Sequence, residues 1–353
     1  MKDFIIEINS KTHIKISEKD IEKVLAGIKT TSNFWMIISL SRNPFNVAVE
    51  IIKKLNEEKY IHFEKEKVLL AKRGEEFCKK NNIFSFENLT CQSCSGRGVS
   101  INKLIVLEKE FKETVKDRPE AIIDYDQGFV SPKTSIARIA LLASRGDIKG
   151  KNILILGDDD LVSIAAGLSG FPKKVTVLEV DERLVKYINE KSEKLGLPVE
   201  AIQHDLKYKL PEKMEKRYDT FLTDPPETVE GLDIFIGRGI AGLKGPGCAG
   251  YFGLTYIESS LRKWNEFQKM LAEKYKVVIT DIIHDFNLYE NWDYLLESIR
   301  GDLPGLKTMP DGYWYRSSMY RIETLEYKDA ENKDKPEEPL YVDFESLVWT
   351  KKE

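Results

Sequence analysis

The sequence predicts an α/β protein: a doubly wound, mostly parallel sheet with an antiparallel edge, preceded by a smaller α+β module. Three observations carry this. From residue 122 onward, short Ile-, Leu- and Val-rich runs alternate with segments of helical apolar spacing, the pattern of strands and crossover helices. The first such run, 152–156 (NILIL), passes straight into Gly157, as a buried parallel strand enters a ligand-binding turn. Residues 1–85 follow a different order, helices and then a hairpin.

In the N-terminal part, 19–30 (KDIEKVLAGIKT) and 44–58 (PFNVAVEIIKKLNEE) have helical spacing. Asn46 followed by the stripe Val47, Ile51, Ile52 and Leu55 predicts a short recognition-type helix. YIHFEKEKVLLAKRGEEFCKK reads as strand, turn, strand and a closing helix. A winged-helix-like domain is therefore expected over 1–85. Such modules bind DNA or serve only in dimerisation and packing. No basic helix face is present, so DNA binding is not expected of it. Residues 86–121 form a connector holding Cys91-Gln-Ser-Cys94, followed by a glycine turn. A structural zinc site needs four ligands, and nearby Cys78 and His62 lack the spacing. A redox pair and a partial metal site stay open; the favoured reading is small residues in a tight turn.

The catalytic-type domain is expected over 122–327. An acidic turn (Asp124, Asp126) leads through Pro132 to a helix ending near Arg145. Strand 152–156 precedes a helix near 161–168; strand 174–180 precedes helix 181–195. Strands 199–203 and 218–223, helix 231–243, strand 249–255, helix 259–274 and strand 276–280 follow, and 313–326 reads as a closing strand. Residues 328–353 are expected to form a charged C-terminal tail, flexible over 328–339 (KDAENKDKPEEP), that gates or steers the site.

A chain of 353 residues suits two domains. Its 42% hydrophobic content supports sizeable cores, and no run is long and apolar enough for a membrane helix. The N-terminal segment lacks the apolar core of a signal peptide, so a soluble cytoplasmic protein is expected. Four cysteines are too few for a disulfide framework. Lys and Glu dominate the charged residues, as in many thermophile proteins. The net charge of −4 is uneven: residues 1–120 carry 22 Lys and Arg against 18 Asp and Glu, the remainder 32 against 40. The acidic C-terminal part speaks against a nucleic-acid surface there and suits a cationic ligand.

Four strand ends carry the chemistry. The first ends in Gly157-Asp158-Asp159-Asp160, the second in Glu179-Val180-Asp181, with Glu179 at the spacing of a ribose-binding acid. The third is followed by His204-Asp205, the fourth by Asp224-Pro225-Pro226-Glu227. Ligands in open α/β sheets lie beyond the carboxyl ends of the strands, so these acids should meet in one crevice. This order resembles the S-adenosylmethionine-dependent methyltransferase fold, a Rossmann-like sheet, over residues 122–326. The departure is the opening loop, which that fold keeps glycine-rich beside the methionine end of the cofactor. Three aspartates there would repel its carboxylate; two unit charges about 5 Å apart interact by about 3 kcal/mol at an effective dielectric near 20. Decarboxylated S-adenosylmethionine has no carboxylate, only a sulfonium and an ammonium, and would be attracted.

With the Gly157–Asp160 motif and this layout, the chain is identified as resembling the branched-chain polyamine synthases, or N4-bis(aminopropyl)spermidine synthases. The resemblance implies aminopropyl transfer from decarboxylated S-adenosylmethionine as co-substrate to the secondary amine of spermidine, releasing 5′-methylthioadenosine. It implies Asp159 as the catalytic base, with Asp160 as second choice, and Asp224 as the residue orienting the amine. Gly157, Asp158, Glu179, Asp181 and Asp205 are assigned to the co-substrate: Glu179 to the ribose, Asp205 to the adenine amino group, Asp158 and Asp181 to binding or to helix capping. Asp124, Asp126, Glu227, Tyr256, His284 and Asp285 are the candidate polyamine contacts, although a lone histidine is more often structural. No prosthetic group and no metal are expected, and a homodimer is. Two rival functions were weighed. One is an amino-methyltransferase acting on nucleic acid, suggested by the Asp-Pro-Pro-Glu motif. It is opposed by the acidic loop and by Glu227 in the place of a base-stacking aromatic residue. The other is a ligand-sensing winged-helix regulator, which predicts binding without turnover.

Overall fold

The computed structural model describes residues 2–292, 306, 309–325, 332–337 and 340–347. The N-terminal part comprises helices α1 (Lys2–Thr12), α2 (Glu18–Thr30), α3 (Phe34–Ser41) and α4 (Phe45–Glu57), the hairpin β1 (Ile61–Glu64) and β2 (Lys67–Leu70), and α5 (Lys72–Lys80). Helix α2 begins in a reciprocal capping box: Asp20 accepts from the Ser17 backbone N–H, and Ser17 caps in return. The Val47, Ile51, Ile52 and Leu55 stripe of α4 is fully buried in this part's own core. That core continues into the larger domain. Trp35 packs on Trp314 with ring centroids 4.6 Å apart, and the Phe45 N–H donates to the Ile257 carbonyl. Asn46, at the start of α4, donates to the Phe344 carbonyl. The stripe read as that of a recognition-type helix is thus committed to packing.

The connector crosses on α6 (Ile105–Thr114), which leads to α7 (Pro132–Arg145). Ser131 caps α7 by accepting from the Thr134 N–H, and Pro132 stands in its first turn, where a missing N–H costs nothing. Then come β3 (Asn152–Leu156), α8 (Val162–Ser169), β4 (Lys174–Glu179), α9 (Glu182–Leu195), β5 (Val199–Gln203), β6 (Thr220–Thr223), α10 (Val229–Gly242), β7 (Ala249–Leu254), α11 (Leu261–Glu273), β8 (Val277–Leu288) and β9 (Arg316–Thr324). The sheet order is β5-β4-β3-β6-β7-β9-β8, parallel through β7, with β9 antiparallel to both neighbours. Helices cover both faces. Ile153 and Ile155 pack towards α7 and α8; Leu154 and Leu156 pack towards α10.

Two expectations change here. Strand 276–280 continues to Leu288 as the sheet's edge, through register shifts at Ile279/Asp281 and Ile283/Asn287. Polar residues on its open side hid the extension, since an edge strand does not bury both faces. The C-terminal segment is bound where it is described. Arg238 donates to the Lys333 carbonyl, Lys335 pairs with Asp233 at 2.7 Å, and Leu340 and Leu347 are buried. Residues 328–331, 338–339 and 348–353 of the expected tail lie outside the described residues.

Candidate active site

Strand order reverses between β3 and β6, and there the loops after β3, β4, β5, β6 and β7 open into one crevice. Gly157 makes its turn with φ +67°, a left-handed conformation that other residues rarely adopt. From this turn the three aspartates diverge. Asp158 is buried and turns back under the loop, accepting from Val162 N–H at 2.7 Å and from Ser163 N–H, which caps α8. Burial pushes its carboxyl up to about 8. Asp159 faces the crevice and accepts from the Gly128 N–H at 3.1 Å. Asp160, 4% exposed, accepts from Val130 N–H at 2.6 Å and pairs with Arg138 at 2.5 Å. The alternative base is therefore out of the crevice: its lone pairs are taken up by a buried ion pair. Arg138, on α7, also pairs with Asp224 at 2.6 Å.

The second strand brings Glu179 to the wall. Its oxygens accept from the N–H groups of Asp158 (2.8 Å) and Asp181 (3.0 Å), which fixes the carboxylate beside the glycine turn. Burial raises its pKa against those two bonds. Asp181 accepts from the Arg183 N–H, as the cap of α9, and from Gln127; it does not line the crevice. Asp205 lines it and accepts from the Lys207 N–H.

At the other end Asp126, Asp224 and Glu227 line the wall together with Glu258. Glu258 follows β7 and is 8% exposed; it accepts from the Tyr315 hydroxyl and from the Leu347 N–H at 2.5 Å. Asp126 sits in left-handed backbone at φ 53°. Burial, then the charges of Glu258 and Asp159, hold its carboxyl well above the usual range. Burial, then Glu258 and Asp126, does the same for Glu227; burial, then Asp160, does so for Asp159. Burial raises Asp224 too, with Arg138 opposing it. Among the described residues, seven carboxylates line this crevice and no Lys or Arg does. Tyr125, Tyr289, Trp292, Tyr315 and Tyr341 complete the wall, with Tyr289 and Tyr315 edge-on at 5.0 Å. Aromatic faces and carboxylates together make a surface for cations with apolar spacers.

Four expected contacts do not reach the crevice. Asp124 is exposed outside it. Tyr256 stacks on Trp264 at 4.1 Å. His284 and Asp285 lie on the edge strand, where His284 meets Ser318 and Asp285 lies 3.8 Å from Arg42. Glu258 was missed, although it follows a strand end as the other acids do. Arg138 carried no signal, being one of several polar residues in its helix. Among the described residues no cluster of three or more His, Cys, Asp or Glu could hold a metal; Cys91 is exposed on its loop.

The sheet and its acidic crevice define a Rossmann-like α/β protein whose candidate site is suited to cationic ligands. Comparison with known proteins narrows this. Residues 106–348 match the branched-chain polyamine synthase A C-terminal domain. The chain is 44% identical over 348 residues to the N(4)-bis(aminopropyl)spermidine synthase of Thermococcus kodakarensis, covering 98% of this chain and 99% of that one. It is 39% identical over 332 residues to the enzyme of the same name from Thermus thermophilus, covering 92% and 93%. The crystal structure of the Thermus thermophilus branched-chain polyamine synthase, in complex with N4-aminopropylspermidine and 5′-methylthioadenosine, superposes with a TM-score of 0.90 at 36% identity, covering 98% of each chain. The chain belongs to the branched-chain polyamine synthase family, a family of aminopropyl transferases.

Proposed function

We propose that this enzyme transfers aminopropyl groups from decarboxylated S-adenosylmethionine to the internal secondary amine of spermidine, giving N4-bis(aminopropyl)spermidine and 5′-methylthioadenosine. One observation carries it: a crevice walled by carboxylates and aromatic rings, with no Lys or Arg in its lining among the described residues. Such a site repels the carboxylate of S-adenosylmethionine and attracts both a decarboxylated sulfonium and a polyamine.

The nitrogen lone pair attacks the carbon next to sulfur, the C–S bond breaks, and its electron pair stays on sulfur as neutral methylthioadenosine. A departing neutral thioether needs no acid. The amine, protonated at neutral pH, must first lose its proton, and Asp159 accepts it. Asp224 orients the nitrogen, and Asp126, Glu227 and Glu258 hold the outer ammonium groups. Glu179 receives the ribose hydroxyls, Asp205 the adenine amino group, and Gly157 lets backbone approach the co-substrate. Asp158 and Asp181 support the site as helix caps. We assign residues 1–85 to a winged-helix-like packing domain, 86–121 to a connector, 122–327 to catalysis and 328–353 to a charged C-terminal tail, of which Leu340 and Tyr341 line the crevice. We further propose a cytoplasmic homodimer, supported by the exposed apolar side chains of Leu89 and Val106 in the connector.

The test is calorimetry with S-adenosylmethionine and its decarboxylated form side by side, then addition of spermidine to the tighter complex. Preference for the decarboxylated form, with methylthioadenosine released and the polyamine mass rising by one and then two aminopropyl units, is the expected result. Tighter binding of S-adenosylmethionine itself would overturn the proposal. Light scattering reports the dimer, and cell fractionation the compartment.

A further inference from the structure

We infer that Arg138 is a positioning residue: from beneath the crevice it fixes the Asp224 carboxylate so that Oδ1 alone is left to receive the attacking amine. This rests on the reading of the crevice as an aminopropyl-transfer site.

Arg138 is 1% exposed and does not itself line the crevice, yet each nitrogen of its guanidinium makes a hydrogen bond, one of them to the lining residue Asp224. Nη1 donates to Asp160 at 2.5 Å, Nη2 to Asp224 Oδ2 at 2.6 Å, and Nε to Asn287 Oδ1 at 2.9 Å. From Asn287 the chain of bonds returns to its start. Asn287 Nδ2 donates to Ser317 Oγ at 2.8 Å, Ser317 lies 3.0 Å from the Tyr289 hydroxyl, and that hydroxyl donates to Asp224 Oδ2 at 2.6 Å. The closed ring joins α7, β8, β9 and the loop after β6. Its far anchor is Asp160, whose other oxygen accepts from the Val130 N–H. Asp224 Oδ2 thus has two donors, while Oδ1 accepts from none among the described residues. A planar guanidinium fork sets this orientation; a flexible ammonium does not.

The charges serve the same end. Two carboxylates share one guanidinium, an arrangement that suits a substrate ammonium beside it. A buried pair stripped of one partner leaves an uncompensated charge. Asp224 is faced by Arg138 on α7, by Asp159 and Asp160 after β3, by Glu227 on its own loop, and by Tyr289 after β8. Only Arg138 among them favours its ionised form by positive charge.

Two variants test this through the pH dependence of kcat/KM for spermidine, with methylthioadenosine binding as the control for an intact nucleoside site. Spermidine's own titration is common to all the enzymes compared. Arg138→Lys is expected to lower kcat/KM roughly a hundredfold, the cost of misplacing a reacting group by about 1 Å. Its acidic limb should move to higher pH. Asp160→Asn keeps the shape and the acceptor for Val130, removes a like charge and turns an amide NH2 toward Arg138, so that Arg138 pairs with Asp224 alone and the acidic limb should move to lower pH. Limbs coinciding with wild type, in variants that bind methylthioadenosine normally, would overturn the inference. If Arg138→Lys does not fold, Asp160→Asn alone decides. Loss of turnover at every pH with intact methylthioadenosine binding would make Asp160 the base and Arg138 its partner only. Absence of aminopropyl transfer by the wild-type enzyme would instead refute the functional reading.

Discussion

Gly253 and Asp224 face each other across β7 and the end of β6 so closely that a Cβ on the glycine would lie 2.1 Å from Asp224 Oδ1. Thr223 and Phe252 are register partners in the two strands, which places the next residue of each side by side. The glycine therefore leaves room for this carboxylate oxygen. Gly253→Ala should displace Asp224 and strain its contact with Arg138. A loss of about 1–3 kcal/mol in stability is expected from overpacking. A fall in kcat/KM for spermidine should accompany it, with methylthioadenosine binding retained. Urea unfolding and steady-state kinetics check both.

Asp159 should show the signature of a base. Asp159→Asn is expected to reduce kcat by roughly 10²–10⁴-fold at neutral pH. The deficit should shrink as pH rises, because the amine then deprotonates without help. A deficit independent of pH in a pH–rate profile would place Asp159 in binding alone.

The crevice carboxyls predict how stability responds to pH. Asp126, Asp159 and Glu227 are held above their ordinary values by burial and by one another. A carboxyl with a raised folded pKa binds its proton more tightly in the native state than in the unfolded chain. It therefore contributes stability at low pH that is lost as pH rises from the ordinary carboxylate range through the folded value. The ligand-free protein should accordingly lose stability from these groups as pH increases above about 4. Spermidine, by pairing with the ionised forms, should reverse that loss. Thermal melts across pH with and without spermidine test this; a ligand shift that does not grow with pH counts against it.

The same coupling makes spermidine binding release protons. As the polycation enters, it lowers the carboxyl pKa values and drives ionisation. Calorimetry in buffers of different ionisation enthalpy should therefore give enthalpies that vary with the buffer. Asp126→Asn combined with Glu227→Gln should reduce that variation and weaken binding.

Truncation after Leu325 should harm the fold as well as turnover. Leu340 and Tyr341 form part of the crevice wall, the Thr228 hydroxyl donates to the Leu340 carbonyl, and Leu347 N–H donates to Glu258. The truncated protein should melt at a lower temperature and show a raised KM for spermidine. An unchanged melting temperature would mean that these contacts contribute little.

The sequence by itself determined the alternation of strands and helices, because the sheet buries both faces and leaves nearly uninterrupted apolar runs ending at Gly157, Glu179 and Thr223. It also determined that acids stand at those ends, and the three aspartates of one loop already named a cationic ligand. What each aspartate does was decided only in three dimensions. Asp158, Asp159 and Asp160 are neighbours in sequence, yet one caps a helix, one faces the crevice and one anchors a buried arginine, because a tight turn sends consecutive side chains in different directions. Glu258, Tyr289 and Tyr315 join the site from segments far apart in the chain. Arg138 is invisible in sequence because its partners lie on α7's far side, 22 and 86 residues away. Composition and period record which faces a chain must bury; which charges then meet depends on how the buried faces stack, and the tertiary structure alone settles that.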